Sequence, residues 1–172
     1  MKKKIVLLGM MGCGKSTIGN VLSEKLKIDF IDTDKLIEKN VGLKIKTIFE
    51  KHGEDYFRNI EKKIISKLLL KKDSCVIAIG GGSLLNKEVR KIILKKTVSI
   101  WLNTKKELIF KRCKKSNERP LLTMDNKKNY KIINNLLKIR KPLYSQAKIM
   151  IRSNKSPKKT SEQILKKIKK YI

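Results

Sequence analysis

Ile5-Val-Leu-Leu8 is wholly apolar and predicts a buried strand of a parallel sheet. A glycine-rich turn follows, and then Ile18, Val21, Leu22 and Leu26 recur at helical spacing. Residues 28–31 predict a second strand that ends in Asp32-Thr-Asp34. Residues 35–72 read as mainly helical. Ile45, Ile48 and Phe49 form one apolar face, and after Gly53 the residues Phe57, Ile60, Ile64, Leu68 and Leu69 form another. Cys75–Ile79 predicts a third strand running into Gly80-Gly-Gly82. A helix over about 87–95 leads to a strand at 98–102, and 104–115 is again helical. Residues 116–126 contain Pro120, lack a helical period and predict a loop of functional length. A long helix over about 127–140 bends at Pro142 or continues past it. Lys148–Arg152 predicts a fifth strand, and Ser156 or Pro157 opens a last helix carrying Ile164, Leu165 and Ile168. This alternation predicts one three-layer α/β domain over residues 1–172, without repeats or a linker. Right-handed crossovers then put the ligand at the carboxyl ends of the strands.

Composition changes this picture little. Hydrophobic residues make up 40% of the 172, which argues against disorder. The net charge of +29 would ordinarily suggest nucleic acid or an anionic surface. The excess is lysine spread along the whole chain, with arginine only at 58, 90, 112, 119, 140 and 152. Phosphate readers favour the bidentate guanidinium, so the charge reads as a drift in residue usage. The start imitates a secretion signal, but its apolar stretch breaks at Gly9 and Gly14-Lys-Ser-Thr17 follows at once. No apolar run approaches the roughly 20 residues of a membrane span. Cys13, Cys75 and Cys113 fit neither a disulfide framework nor a zinc site, and a reducing cytoplasm is the expected setting.

Gly9-Met-Met-Gly-Cys-Gly14-Lys15-Ser16 fits G-x4-G-K-[ST], with a strand before it and a helix after. Its backbone N–H groups can turn toward an anion while the helix adds its positive end. Lys15 supplies a point charge for the β- and γ-phosphates, and Ser16 a hydroxyl for Mg²⁺. Asp32 and Asp34 at the end of the second strand point the same way if the strand persists. One then leans toward Mg²⁺ and its waters and the other toward an acceptor hydroxyl; the alternative is that Asp34 simply caps the helix from Lys35. Cys13, beside a helix N-terminus, is expected to favour the thiolate and to react with thiol reagents.

The chain resembles the shikimate kinase family nearly end to end. The resemblance rests on Gly9–Thr17, on Asp32-Thr-Asp34 and on Phe49-Glu-Lys-His-Gly-Glu-Asp-Tyr-Phe57-Arg58-Asn-Ile-Glu61. It is extended by Gly80-Gly-Gly82, Arg119-Pro-Leu-Leu122 and Arg140-Lys-Pro-Leu-Tyr144. It implies a nucleoside-monophosphate-kinase-like fold with a parallel sheet of order 2-3-1-4-5, and transfer of the ATP γ-phosphate to the 3-hydroxyl of shikimate. The nucleotide site would comprise Gly12, Cys13, Gly14, Lys15, Ser16 and Thr17. Arg112 would lie against the adenine, Arg119 would close from a lid at about 113–126, and Lys155, where the family often shows arginine, would pass the adenine. The acceptor site, in the region 35–62 and beyond, would hold Asp34, Arg58, Gly80, Gly81, Gly82 and Arg140, with Phe49 and Phe57 as an apolar wall. Lys15, Asp34 and Arg119 would be catalytic. Ser16 would hold the metal directly and Asp32 through water.

Those acceptor residues also make sense unaided. Arginine binds a carboxylate bidentately, and an ionised aspartate accepts hydroxyl hydrogen bonds or takes a proton. Arg58 has a second reading as a helix-surface partner of Glu54 or Glu61. His52 has no metal-ligating neighbours at useful spacing and reads as a solvated loop residue. Trp101 reads as a strand residue in or near the core. The expected partners are ATP and shikimate, acting on a cytoplasmic monomer without specific nucleic acid or membrane. The alternatives are a kinase of another polyol acid such as gluconate, a basic nucleic-acid-binding protein and an inactive relative.

Overall fold

The computed structural model describes residues 3–114, 120–123 and 125–171. Five parallel strands form one sheet in the order β2-β3-β1-β4-β5. They are β1 (Ile5–Leu8), β2 (Asp29–Asp32), β3 (Cys75–Ala78), β4 (Val98–Asn103) and β5 (Ile149–Arg152). β1 pairs with β3 and β4, so Leu7 faces Ala78 and Leu8 faces Trp101 across the central strands. β1 and β3 are buried on both faces, which is why they read as unbroken apolar runs.

Among the described residues, seven helices flank the sheet: α1 (Lys15–Leu26), α2 (Thr33–Val41), α3 (Ile45–Leu70), α4 (Lys87–Lys96), α5 (Lys106–Cys113), α6 (Asn126–Tyr144) and α7 (Pro157–Ile168). A short 3₁₀ turn, Ser83–Leu85, follows β3. Ile18, Leu22, Ile164 and Ile168 of α1 and α7 pack with Ile5, Leu7, Ile100 and Ile151 on one face. Ile65, Leu68, Val89, Ile93 and Tyr144 of α3, α4 and α6 pack with Val6, Leu8, Ile77 and Trp101 on the other. The sheet therefore has a core on each side, and the expected three-layer architecture and strand order are found.

One helix departs from the expected pattern and another settles between its two expected courses. α3 is broken at Gly53, whose φ of 80° and ψ of 172° interrupt the helix between its two apolar faces. Beyond that break the buried positions are Phe57, Glu61, Ile65 and Leu68, a stripe turned slightly from the expected one, with Ile60 and Ile64 only half-buried. α6 runs through Pro142 to Tyr144. A proline so near the C-terminus gives up a single backbone donor in the last turn, so the helix is not stopped. Among the described residues, no helix is long and apolar enough to cross a membrane.

Candidate active site

The carboxyl ends of β1, β2 and β3 open into one cavity of about 930 Å³. The phosphate loop forms one end. Gly12 and Gly14 have φ of 75° and 96°, conformations that a side chain would strain, and Gly14 is the residue from which α1 begins. The loop is fixed from behind, because the Cys13 carbonyl accepts hydrogen bonds from Ser153 Oγ at 3.1 Å and Thr104 Oγ1 at 3.4 Å. Lys15 Nζ donates to the carbonyls of Gly9 (2.9 Å) and Met10 (3.2 Å). Arg112 reaches over from α5 and donates to the Gly12 carbonyl at 3.1 Å. Ser16, Thr17 and Lys155 also line the cavity, as do Pro120 and Leu121. Arg119 lies outside the described residues.

Asp32 joins the loop to the opposite end. Ser16 Oγ donates to its Oδ2 at 2.6 Å, and its Oδ1 caps α2 by accepting from the N–H groups of Asp34 (3.0 Å) and Lys35 (3.4 Å). The strand ends at Asp32, so the two carboxylates do not project from successive same-side strand positions. Asp34 stands in the first turn of α2, and Asp32 rather than Asp34 is the cap. Asp34 still lines the cavity, with Oδ1 buried and without a protein hydrogen bond among the described residues. Burial raises its pKa to about 6. Lys15 and, less strongly, Arg58 oppose the rise, while Asp32 and Glu61 add to it.

The far end is built from separate elements. Arg58 of α3 donates to Glu54 Oε1 from Nε (3.1 Å) and Nη2 (2.8 Å), and to Glu61 Oε2 from Nη1 (2.7 Å). Both surface-partner readings of Arg58 therefore hold, and the same residue lines the cavity. Burial works against its charge, but the two carboxylates hold its pKa above the ordinary value. Its guanidinium lies 5.1 Å from the Phe57 ring centre, and Phe57 packs on Phe49 at 4.9 Å. Arg140 of α6 is 3% exposed, and its Nε has no protein hydrogen bond among the described residues. Burial lowers its pKa. The turn at residues 80–82 fits between these groups without room for side chains. A Cβ would lie 2.5 Å from Glu61 Oε1 at Gly80, 3.3 Å from Arg140 Nη1 at Gly81 and 2.5 Å from Arg58 Nη2 at Gly82.

All the candidate site residues that are described line this one cavity. Glu61 was not among them. It is 2% exposed, accepts from Ser83 Oγ at 2.6 Å and organises Arg58. A lone carboxylate in the stripe Phe57-Glu61-Ile65-Leu68 is the signal that could have found it, since a charge on a buried helix face demands a partner. Cys13 departs from expectation as well: its side chain is 1% exposed within the core, so a thiol reagent has no ready access. His52 is exposed and stacks on Tyr56 at 4.7 Å between ring centres.

The arrangement joins an anion cradle to a carboxyl group of raised pKa and two buried or half-buried arginines. The family model for shikimate kinase matches residues 11–169. A shikimate kinase from Persephonella marina is 44% identical over 97% of this chain and 99% of its own length. The solved structure of shikimate kinase from Acinetobacter baumannii in complex with shikimate superposes with a TM-score of 0.93 at 35% identity, covering 99% of this chain and 95% of that one. Shikimate kinase from Aquifex aeolicus gives 0.84 at 36% identity over 98% and 97%. With the matching sheet order and a phosphate-loop cavity already in place, these likenesses show that the chain belongs to the shikimate kinase family.

Proposed function

We propose that the protein transfers the γ-phosphate of ATP to the 3-hydroxyl of shikimate, giving shikimate 3-phosphate and ADP. The observation that carries this reading is the pairing, in one cavity, of the phosphate loop with Arg58, Arg140 and Asp34. A small acid with several hydroxyls is the ligand such a set suits. Arg140, with an unoccupied buried donor, and Arg58 suit its carboxylate. Asp34, with an unoccupied buried acceptor, suits its hydroxyls.

In the reaction, the hydroxyl oxygen forms the new P–O bond as the bond to the β–γ bridging oxygen breaks and ADP departs. Asp34 orients the attacking hydroxyl and takes its proton. Lys15 and the loop amides of Gly12–Thr17 hold the phosphates, so catalysis rests on positioning and charge. Arg112 and Lys155 suit the adenine side. Arg119, in the lid segment at about 113–126, would approach the transferring phosphate. Residues 35–62 act as the acceptor-binding region.

Ser16 and Asp32 fit Mg²⁺: two hard oxygen donors 2.6 Å apart beside the phosphate cradle, leaving the remaining positions to phosphate and water. Bound there, the ion neutralises charge on the phosphates. Among the described residues no group of three His, Cys, Asp or Glu forms a metal cage, in keeping with an ion that arrives with its nucleotide. We read the protein as a cytoplasmic monomer without a membrane or nucleic-acid partner. The test is ADP release in a coupled assay, with shikimate, with gluconate and with neither. Release that requires shikimate supports the reading, and release indifferent to it overturns the reading.

A further inference from the structure

The three carbonyls of the glycine turn are all engaged by protein donors. Gly80 O accepts from Ser83 N at 3.1 Å, with Ser83 Oγ at 2.8 Å, and Gly82 O accepts from Leu85 N at 2.9 Å. Both are local bonds of the 3₁₀ turn. Gly81 O is served from 63 residues away, by the hydroxyl of Tyr144. The Gly81–Gly82 peptide is, with Gly80–Gly81, one of the two soft units of the turn. Its carbonyl and the next N–H lie between two glycines, so rotating the unit meets no Cβ on either side.

We propose that Tyr144 is a positioning residue for the acceptor carboxylate: by holding the Gly81 carbonyl it fixes the Gly81–Gly82 peptide and leaves Arg140 to the substrate. The inference rests on the reading of the cavity as a shikimate site. Gly81 packs directly against Arg140 Nη1, as the 3.3 Å approach of a hypothetical Cβ shows. A released Gly81 oxygen would have a guanidinium close by. It would compete for that cation and would repel an incoming carboxylate.

Tyr144 is suited to the task. It is 2% exposed, and its ring is backed by Trp101 at 6.2 Å between centres. Burial pushes its hydroxyl pKa well above the ordinary value, against the pull of the neighbouring Arg140 guanidinium, so the proton stays on to serve Gly81 while the hydroxyl oxygen faces Arg140. It shares α6 with Arg140, one helical turn further on, so the helix that carries the guanidinium also carries the brace for its neighbour.

The test is Tyr144→Phe, which keeps the ring and removes the donor. The KM for shikimate should rise roughly tenfold, the scale on which a buried acceptor left unpaired is felt. The KM for ATP should not move. A shikimate analogue lacking the carboxylate, measured as a competing ligand, should lose much less, so that the preference for the acid narrows. Trp101→Phe is the companion variant: it loosens the packing behind the ring and lowers Tm, but it should leave that preference intact. An unchanged shikimate KM in Tyr144→Phe, an equal loss for both ligands or the same narrowing in Trp101→Phe would overturn the proposal. If the parent enzyme does not phosphorylate shikimate at all, the underlying reading fails first and the proposal falls with it.

Discussion

At one end of the cavity, the groups that would meet phosphate come from a single stretch, residues 9–17, and most are backbone amides at a helix N-terminus. At the other end they are side chains from α2, α3 and α6 with a glycine turn between them, gathered from residues 34 to 140. The first end needs little beyond a local conformation, and its cost is confined to glycines at positive φ. The second must bury charge. It does so by pairing Arg58 with Glu54 and Glu61, while Asp34 Oδ1 and Arg140 Nε have no protein hydrogen bond among the described residues. Unpaired buried polar atoms are costly. Among the described residues Thr33 Oγ1 and Thr160 Oγ1 are also buried without a partner and do not line the cavity, but the two such atoms that belong to ionisable groups, on Asp34 and Arg140, both stand at the acceptor end, which marks it as shaped by a ligand rather than by stability.

The residue between the two ends is the place to break this comparison hardest. Asp34→Asn should lower kcat by about two to four decades, the usual scale of losing a general base, while both KM values change little. The same group makes the comparison visible in stability. A carboxyl whose pKa rises from 3.8 to about 6 on folding holds its proton more tightly in the fold. The fold is thus not penalised at a pH below 3.8, is increasingly penalised between 3.8 and 6, and is fully penalised above. Asp34→Asn should therefore raise the stability of the unliganded protein at pH 8, by up to about 3 kcal/mol, and leave it unchanged near pH 3. Thermal melts at the two pH values check this. In the parent enzyme, kcat/KM for shikimate should fall as pH drops through about 6, as Asp34 becomes protonated.

Lys15→Ala should cost about two to three decades in kcat/KM for ATP. The fold should stay intact and shikimate binding should be unaffected, as calorimetry would report. Among the described residues Lys15 donates to loop groups, the carbonyls of Gly9 and Met10 and the Cys13 sulfur, so a large loss of Tm would mean that the loop depends on its charge. Arg140→Lys is the mirror experiment. An ammonium cannot reproduce the guanidinium fork, and losing one charge-assisted bond of roughly 1.5–3 kcal/mol implies about one to two decades in shikimate KM. The KM for ATP should hold. If it rises instead, Arg140 belongs to the nucleotide end and the division between the ends is wrongly drawn.

The same division explains what could be read in advance. The phosphate loop is contiguous, so Gly9–Thr17 carried its position and its chemistry together. β1 and β3 were legible because burial on both faces leaves an apolar run that needs no partner to be recognised. Glu61 was legible as a partner of Arg58 three residues before it on the same helix, but not as a buried site residue, because that depends on Ser83 in the turn after β3. Asp34 was seen but attached to the wrong element, since whether the helix starts at Thr33 or only at Lys35 is decided by where the Asp32 Oδ1 finds donors. Cys13 was misjudged because sequence proximity to a helix N-terminus does not say which way the side chain turns. It turns into the core, so the smallest effect expected is slow labelling of the native protein by a thiol reagent, with rapid labelling only on unfolding.

The measurement that bears most directly on the central claim is the identity of the product. After incubation with MgATP and shikimate, phosphorus and proton NMR should show ADP and one phosphate monoester in equal amounts. The ester phosphorus should couple to the hydrogen on carbon 3. ADP without an ester, or an ester on another hydroxyl, would contradict the account.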